Sequence, residues 1–472
     1  MLGALVADSL YLDQVAAPGF LALAKGATAA FGSSEYALRL VPLLSGLLAL
    51  LLFRSLARRF QPPWVAALSV GIFALAPTLI AHGAEFKPYS TDLLASVWLT
   101  IAAFSITERG AAWPAWLGAI VLGTTLPWFS QGAVFVLAGL GAALLGVRSL
   151  KERFARPVSL IERPDPVVLA AGFDRWLAVT LAFWTVSAAG AVLLAIRRVP
   201  PEMREYLDRF WQPALPRWPL LVFIAFAAVL LWLRDRRGAL VLLGPVAVTL
   251  GASAAHLYPF SGRAILFLAP AAILALAEAG SRIVEGLARL RVPRWLGAAI
   301  PAIAVCVPLA LHPPVYRDED ARPVLDKLAD DRREHDAIYV AYSGRPAFRF
   351  YAPRVGLSEV GVVLGGCHRD DPRAYLRELD KLRGTGRVWV FRTHVSERLA
   401  EAPLFDGYLS RIGRYVDSIA AEDTDATLWD LSGTDAPADL AATYPLPPRD
   451  TALAKRFGCG HGPIGEAPWT AE

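Results

Sequence analysis

Leu38-Arg-Leu-Val-Pro-Leu-Leu-Ser-Gly-Leu-Leu-Ala-Leu-Leu-Leu-Phe53 runs straight into Arg54, Arg58 and Arg59. An apolar stretch of this kind, closed by a cluster of arginines, reads as a helix that crosses a bilayer and ends on its cytoplasmic side. The same pattern recurs at Trp64 to Ala81, Leu93 to Ile106, Trp116 to Leu126, Ala133 to Val147 and Trp176 to Ile196. It continues at Leu220 to Leu233, Ala239 to Leu257, Ala264 to Ala279 and Leu296 to Leu311. These runs give about ten transmembrane helices. Arginine clusters close alternate runs, and placing them in the cytoplasm leaves both chain ends outside. The loop from Arg197 to Arg217 is basic and still lands outside in this topology.

Composition agrees. The 472 residues have a mean hydropathy of +0.42, with 55% hydrophobic and 19% charged residues. A soluble chain carries about 25% charge. The net charge is +5, and its arginines flank apolar runs instead of clustering on a soluble helix. A nucleic-acid surface is therefore excluded. After Pro313 the chain reads as soluble sequence. The expected domains are a membrane domain over 1–312 and a soluble α/β domain over 313–472.

In the soluble part, Glu319 to Arg333 and Asp371 to Leu382 read as helices. Ala337 to Tyr342, Arg387 to Phe391 and Ala426 to Leu431 read as strands. Strands alternating with helices predict a small layered domain with a largely parallel sheet. No glycine-rich phosphate loop follows any strand, so shaping a substrate fits this domain better than catalysis. Cys367 and Cys459 would be able to pair if the domain is extracytoplasmic, or stay as two separate thiols. Cys306 lies in an apolar run, and no zinc-ligand spacing is present.

The candidate chemistry sits between membrane helices. His82-Gly-Ala-Glu-Phe-Lys-Pro-Tyr-Ser-Thr-Asp92 places Glu85, Lys87, Tyr89 and Asp92 at the outer face. Ionisable groups at membrane depth are functional candidates, although a solvated hairpin turn accounts for the same residues. Lysine offers a point charge to a phosphate, and the carboxylates offer a base or metal ligands. A divalent metal ion stays open as a cofactor. Arg263, in Tyr258-Pro-Phe-Ser-Gly-Arg263, offers a guanidinium for a lipid-linked phosphate or for an ordinary head group. Arg39 near Glu35 reads as a snorkelling side chain. His256 reads as structural. The loop from Glu202 to Trp211 suits either a sugar site or an interfacial belt.

Three segments together carry a resemblance. They are Asp13-Gln-Val-Ala-Ala-Pro-Gly-Phe20, then Phe31-Gly-Ser-Ser-Glu-Tyr-Ala-Leu-Arg39-Leu-Val-Pro42, then Ala84-Glu-Phe-Lys-Pro-Tyr-Ser-Thr-Asp92. Their order and spacing resemble the GT-C type membrane glycosyltransferases, in particular bacterial members of the dolichyl-phosphate-mannose protein mannosyltransferase superfamily. The resemblance implies a polyprenyl-phosphate-linked sugar donor and a lipid, protein or polysaccharide acceptor. It implies transfer at the outer face of the bacterial cytoplasmic membrane, with inversion at the anomeric carbon. It places Lys87 and Tyr89 at the donor phosphate and, by analogy, Arg263. In the family the acidic motif follows a first transmembrane helix. Here Met1 falls inside the expected first external loop, so the expectation is a sequence that lacks that helix. The general-base role then passes to Asp13 and Asp8, the nearby carboxylates. A non-catalytic scaffold and a lipid-linked sugar transporter are the competing readings; a transporter should show paired broken helices.

Overall fold

The computed structural model describes residues 16–109, 113–154, 166–198, 225, 228–255, 257–260, 262–289, 320–357, 361–368, 371–395, 401–433 and 436–446. The chain parts into two compact units after residue 315, against an expected boundary after residue 312.

The first unit is a polytopic helical membrane bundle. Its helices are α1 (Pro18–Phe31), α2 (Glu35–Phe60), α3 (Pro63–Leu75), α4 (Pro77–Ala84) and α5 (Tyr89–Arg109). They are followed by α6 (Trp113–Thr125), α7 (Gly132–Phe154), α8 (Pro166–Arg198), α9 (Arg236–Ala254) and α10 (Ala269–Arg289). Among the described residues, six helices are long and apolar enough to span a membrane, or seven if the bent pair α3 and α4 counts as one span. The expected span at Trp116 to Leu126 is the 13-residue helix α6. The expected span at Leu296 to Leu311 lies outside the described residues, as does half of that at Leu220 to Leu233.

Helix α2 shows how the sequence makes its elements. Ser34 caps it, its hydroxyl accepting from the Ala37 N–H at 3.2 Å. Glu35 sits in the first turn and Arg58 and Arg59 in the last, each opposite the matching end of the helix dipole. Ala49, Phe53, Leu56 and Ala57 are fully buried, whereas Leu47 and Leu51 are about half exposed or more. A helix apolar on both faces suits one side against protein and the other against lipid. Helices α2 and α5 run parallel: Ser45 meets Thr91 at one end, and Arg59 donates to the Ser105 hydroxyl at the other.

Small residues set the closest helix approach. A Cβ on Gly139 of α7 would stand 2.3 Å from the Pro245 backbone nitrogen of α9, and one on Gly244 would stand 2.4 Å from the Gly139 carbonyl oxygen. Without a hydrophobic force between helices in lipid, such backbone contact carries the packing. Far from the polar patch, Glu278 is 1% exposed and takes hydrogen bonds from Arg234 and from Arg282, the latter at 3.3 Å. An uncompensated carboxylate would not be tolerated there.

The second unit holds helix α11 (Ala321–Asp331), strand β1 (Ala337–Val340), helix α12 (Arg345–Tyr351), β2 (Val362–Leu364) and α13 (Pro372–Asp380). Strand β3 (Arg387–Thr393), helix α14 (Glu401–Ile412), β4 (Arg414–Ala421) and β5 (Thr424–Asp430) follow. The sheet order is β2-β1-β3-β5-β4. Strand β1 pairs in parallel with β2 and β3, while β5 is antiparallel to β3 and β4. The sheet is therefore mixed, not largely parallel. The difference comes from the β4–β5 hairpin, whose tight turn at Asp423 has a positive φ of 49°. Arg392 of β3, almost fully buried, donates to both carboxylate oxygens of Asp425 at 2.8 and 2.6 Å and to Asp406 at 2.7 Å. Cys367 is disulfide-bonded; Cys306 and Cys459 lie outside the described residues.

Two stability outcomes follow from these contacts. Gly139→Leu forces α7 and α9 apart and should destabilise the bundle by about 3 kcal/mol, read as a lower thermal midpoint in detergent. Arg392→Met strands two carboxylates and should cost about 3–5 kcal/mol, read by denaturant unfolding of the purified chain with aromatic fluorescence.

Candidate functional site

The polar patch begins where a span breaks. Pro77 cannot donate a backbone hydrogen bond and pushes Ala76 into an extended conformation, with φ −63° and ψ 116°. Helices α3 and α4 therefore meet at 48°. The short helix α4 carries His82 in its last turn, and Pro88 opens the next helix, its carbonyl accepting from the Asp92 N–H at 3.0 Å. The loop expected over His82 to Asp92 thus shrinks to residues 85–88.

Four side chains converge around this turn. The His82 ring is buried, and its Nδ1 lies 2.8 Å from Glu85 Oε2. The other oxygen of Glu85 lies 2.5 Å from Lys87 Nζ. The His82 ring stands edge-on to Tyr89, with centroids 5.0 Å apart. The Arg263 guanidinium lies 5.6 Å from the Tyr89 ring centroid, within cation–π range. Arg263 is exposed in the first turn of a 3-10 segment, Gly262–Leu268, entered through Gly262 at φ +51°. That conformation favours glycine. Lys87, Tyr89 and Arg263, far apart in sequence, are thus joined through His82 and Glu85.

The electrostatics of Glu85 follow from its neighbours. Burial alone would raise its pKa, but the hydrogen bonds from His82 and Lys87 outweigh this and hold it at about 2. The carboxylate is therefore ionised and only accepts, so His82 must carry its proton on Nδ1. Side-chain exposure falls from 29% at Lys87 to 17% at Glu85 and 5% at His82, so the ammonium is the open end of the chain.

Asp92 has a different setting. It lies in the first turn of α5, 8% exposed, where Oδ1 accepts from the Ser130 hydroxyl at 2.6 Å and the Gly132 N–H at 3.4 Å. Ser130 in turn accepts from Ala133 N–H at 3.0 Å. The carboxylate and hydroxyl together cap the N-terminus of α7. Arg39 is exposed and lies 3.7 Å from Glu35, one helical turn away. Asp8, Asp13, His256 and the loop from Glu202 to Trp211 lie outside the described residues. Among the described residues, no three His, Cys, Asp or Glu side chains converge as metal ligands; those residues alone do not fit a divalent cation.

His82 gains a role only once the segment is folded. The signal was its position three residues before Glu85, an i,i+3 spacing that joins side chains only if the segment is helical. Phe86 was also passed over. It packs on Phe20 at 5.7 Å and ties the turn to α1.

Residues 15–161 match the model of the dolichyl-phosphate-mannose-protein mannosyltransferase family. That stretch contains His82, Glu85, Lys87, Tyr89 and Asp92, while Arg263 lies beyond it. Among curated proteins, none matches the chain by sequence. Among solved structures, ArnT from Cupriavidus metallidurans bound to undecaprenyl phosphate is similar with a TM-score of 0.52 at 13% identity, over 90% of this chain and 91% of that one. Its apo form gives 0.47 at 14% identity over the same shares. The oligosaccharyltransferase of Archaeoglobus fulgidus gives 0.41 at 13% identity, over 90% of this chain and 65% of its own. The ArnT likeness establishes a shared fold. With the family match, it bears out the resemblance of this polytopic helical membrane protein to the GT-C glycosyltransferases.

The depressed pKa of Glu85 makes a pH prediction. A carboxylate held at about 2 against an ordinary 4.5 contributes stability that is complete above 4.5 and lost as pH falls through 2. The thermal midpoint of the wild type should therefore exceed that of Glu85→Gln by a margin that is constant above 4.5 and shrinks below it. A margin unchanged throughout acid titration would show that Glu85 is not ionised in the folded bundle.

Proposed function

We propose that the membrane unit transfers a sugar from a polyprenyl-phosphate-linked donor to an acceptor hydroxyl at the outer face of a bacterial cytoplasmic membrane. The observation that carries this reading is the joining of Lys87, Tyr89 and Arg263 at one end of the bundle. Two cations flanking a phenol suit a phosphate. The family match over the same stretch supports the reading. So does the fold shared with ArnT, whose structure holds undecaprenyl phosphate. The disulfide at Cys367 supports an extracytoplasmic soluble domain, because disulfides persist in oxidising compartments.

In this reading the acceptor oxygen attacks the anomeric carbon as the bond from that carbon to the phosphate oxygen breaks. The electron pair leaves on the phosphate, and the anomeric configuration inverts. Asp13 or Asp8 takes the acceptor proton as general base. Lys87 and Arg263 offset the charge that builds on the leaving phosphate, and the Tyr89 ring stands beside the Arg263 guanidinium. Glu85 is a poor base, since it is ionised at about 2 and already accepts from two donors. Its part is to hold Lys87. Asp92 is occupied in capping α7. The transporter alternative gains little support, because the described residues contain one bent helix pair and not two.

The test uses purified protein in nanodiscs, with undecaprenyl phosphate as probe and undecaprenol as control. Lys87→Ala and Arg263→Ala should each weaken phosphate binding by about tenfold or more, the worth of one charge-assisted contact. Sugar release from a polyprenyl-phosphate donor should fall in parallel. Binding by Lys87→Ala equal to wild type would sink the enzyme reading.

A further inference from the structure

We propose that His82 is a positioning residue of the phosphate site: its buried imidazole holds Glu85 through Nδ1 and Tyr89 through its ring edge, and so fixes where Lys87 and Arg263 present their charges. This rests on the donor reading above and deepens it.

The argument starts from burial. An imidazole that is 4% exposed near the end of a membrane bundle is costly unless its polar atoms are used. Its Nδ1–H is used by Glu85 at 2.8 Å. The residue cannot drift, because the Ser90 hydroxyl donates to the His82 carbonyl at 2.9 Å and ties the end of α4 to the start of α5. The ring contact with Tyr89 at 5.0 Å crosses the same junction. One side chain thus fixes both arms of the site.

The consequence for Lys87 is specific. A Glu–Lys pair closed on itself has little attraction left for an anion. Here Glu85 divides its oxygens, Oε2 to His82 and Oε1 to Lys87. Lys87 keeps two further N–H donors, and it is the more exposed partner. A phosphate approaching from the open side meets an ammonium anchored from behind, with its remaining protons forward. Without His82, Glu85 is free to rotate and take up Lys87 with both oxygens. On the other arm, Tyr89 contacts both the His82 ring and the Arg263 guanidinium. Removing the ring loosens the platform on which Arg263 rests. His82 itself need not touch the phosphate.

Conservative variants separate these roles from simple structural loss. Asn places an amide N–H near the imidazole Nδ1 position; Gln places it near Nε2; Phe keeps the ring and removes the donor. Dissociation constants for undecaprenyl phosphate and undecaprenol are measured on the full chain in nanodiscs, with the thermal midpoint as folding control. His82→Asn keeps the donor to Glu85 but not the ring and should lose about threefold in phosphate affinity, and His82→Phe and His82→Gln, which break the Glu85 bond, should lose about tenfold. Undecaprenol binding should not change in any variant. Phosphate binding at wild-type strength by His82→Phe, in a folded protein, overturns the inference. If the Phe variant does not fold, equal binding by the Asn and Gln variants overturns it. Equal affinity of the wild type for the phosphate and the alcohol instead overturns the donor reading itself.

Discussion

A lysine at the mouth of a helix bundle needs a counter-charge, since an unpaired ammonium near hydrocarbon costs several kcal/mol. A counter-charge that fully neutralises it would leave nothing for a ligand. The Glu85 carboxylate meets both demands by dividing its oxygens between a buried imidazole and a half-buried ammonium. That division needs His82 and Glu85 three residues apart on the end of a helix. This in turn needs α4 to end there, and α4 exists as a separate helix because Pro77 breaks the span. The backbone break and the electrostatics of the site are one constraint seen at two scales.

The bundle brings the second cation to the same place through parallel packing. Helices α2 and α5 run side by side in the same direction. Asp92 fastens the start of α5 to the start of α7. Phe267, beyond Arg263, packs against Gly132 so closely that a Cβ there would stand 2.7 Å from its ring. Three element starts therefore gather at one end. A helix start favours an anion through its first-turn N–H groups. Asp92 occupies that of α7, so the positive character left for a ligand lies around Tyr89, Lys87 and Arg263.

Much of this was legible in the sequence, and the reasons are local. Long apolar runs closed by arginine can hardly be anything but membrane helices, and α2, α5, α7, α8, α9 and α10 follow them. Strand β2 was not: three residues, Val362 to Leu364, are too few to show alternation. Strand β4 was hidden because it is an exposed edge, where residues such as Asp417 and Ser418 break the apolar pattern. Without β4 the hairpin was invisible, and a mixed sheet looked parallel. The resemblance put Lys87, Tyr89 and Arg263 at one phosphate, but the ring contacts that join them cross separate elements and leave no mark in their spacing. Asp92 looked like part of a polar loop because its partner, Ser130, lies 38 positions away.

The charge balance of the site argues for what it binds. Glu85 pairs with one of the two cations, Lys87, and leaves the Arg263 guanidinium over a ring and a hydroxyl. A neutral sugar would gain little from that surplus; it calls for hydroxyl and amide partners instead. A bare inorganic anion would find the charge but no reason to prefer this spot over any arginine at the rim. A phosphate on an apolar chain uses both features, the charge at the bundle mouth and the half-exposed leucines of α2 and their neighbours that face the lipid. The proposed reading thus has the head group and the tail recognised together. It leaves the choice of sugar to parts of the chain beyond this cluster.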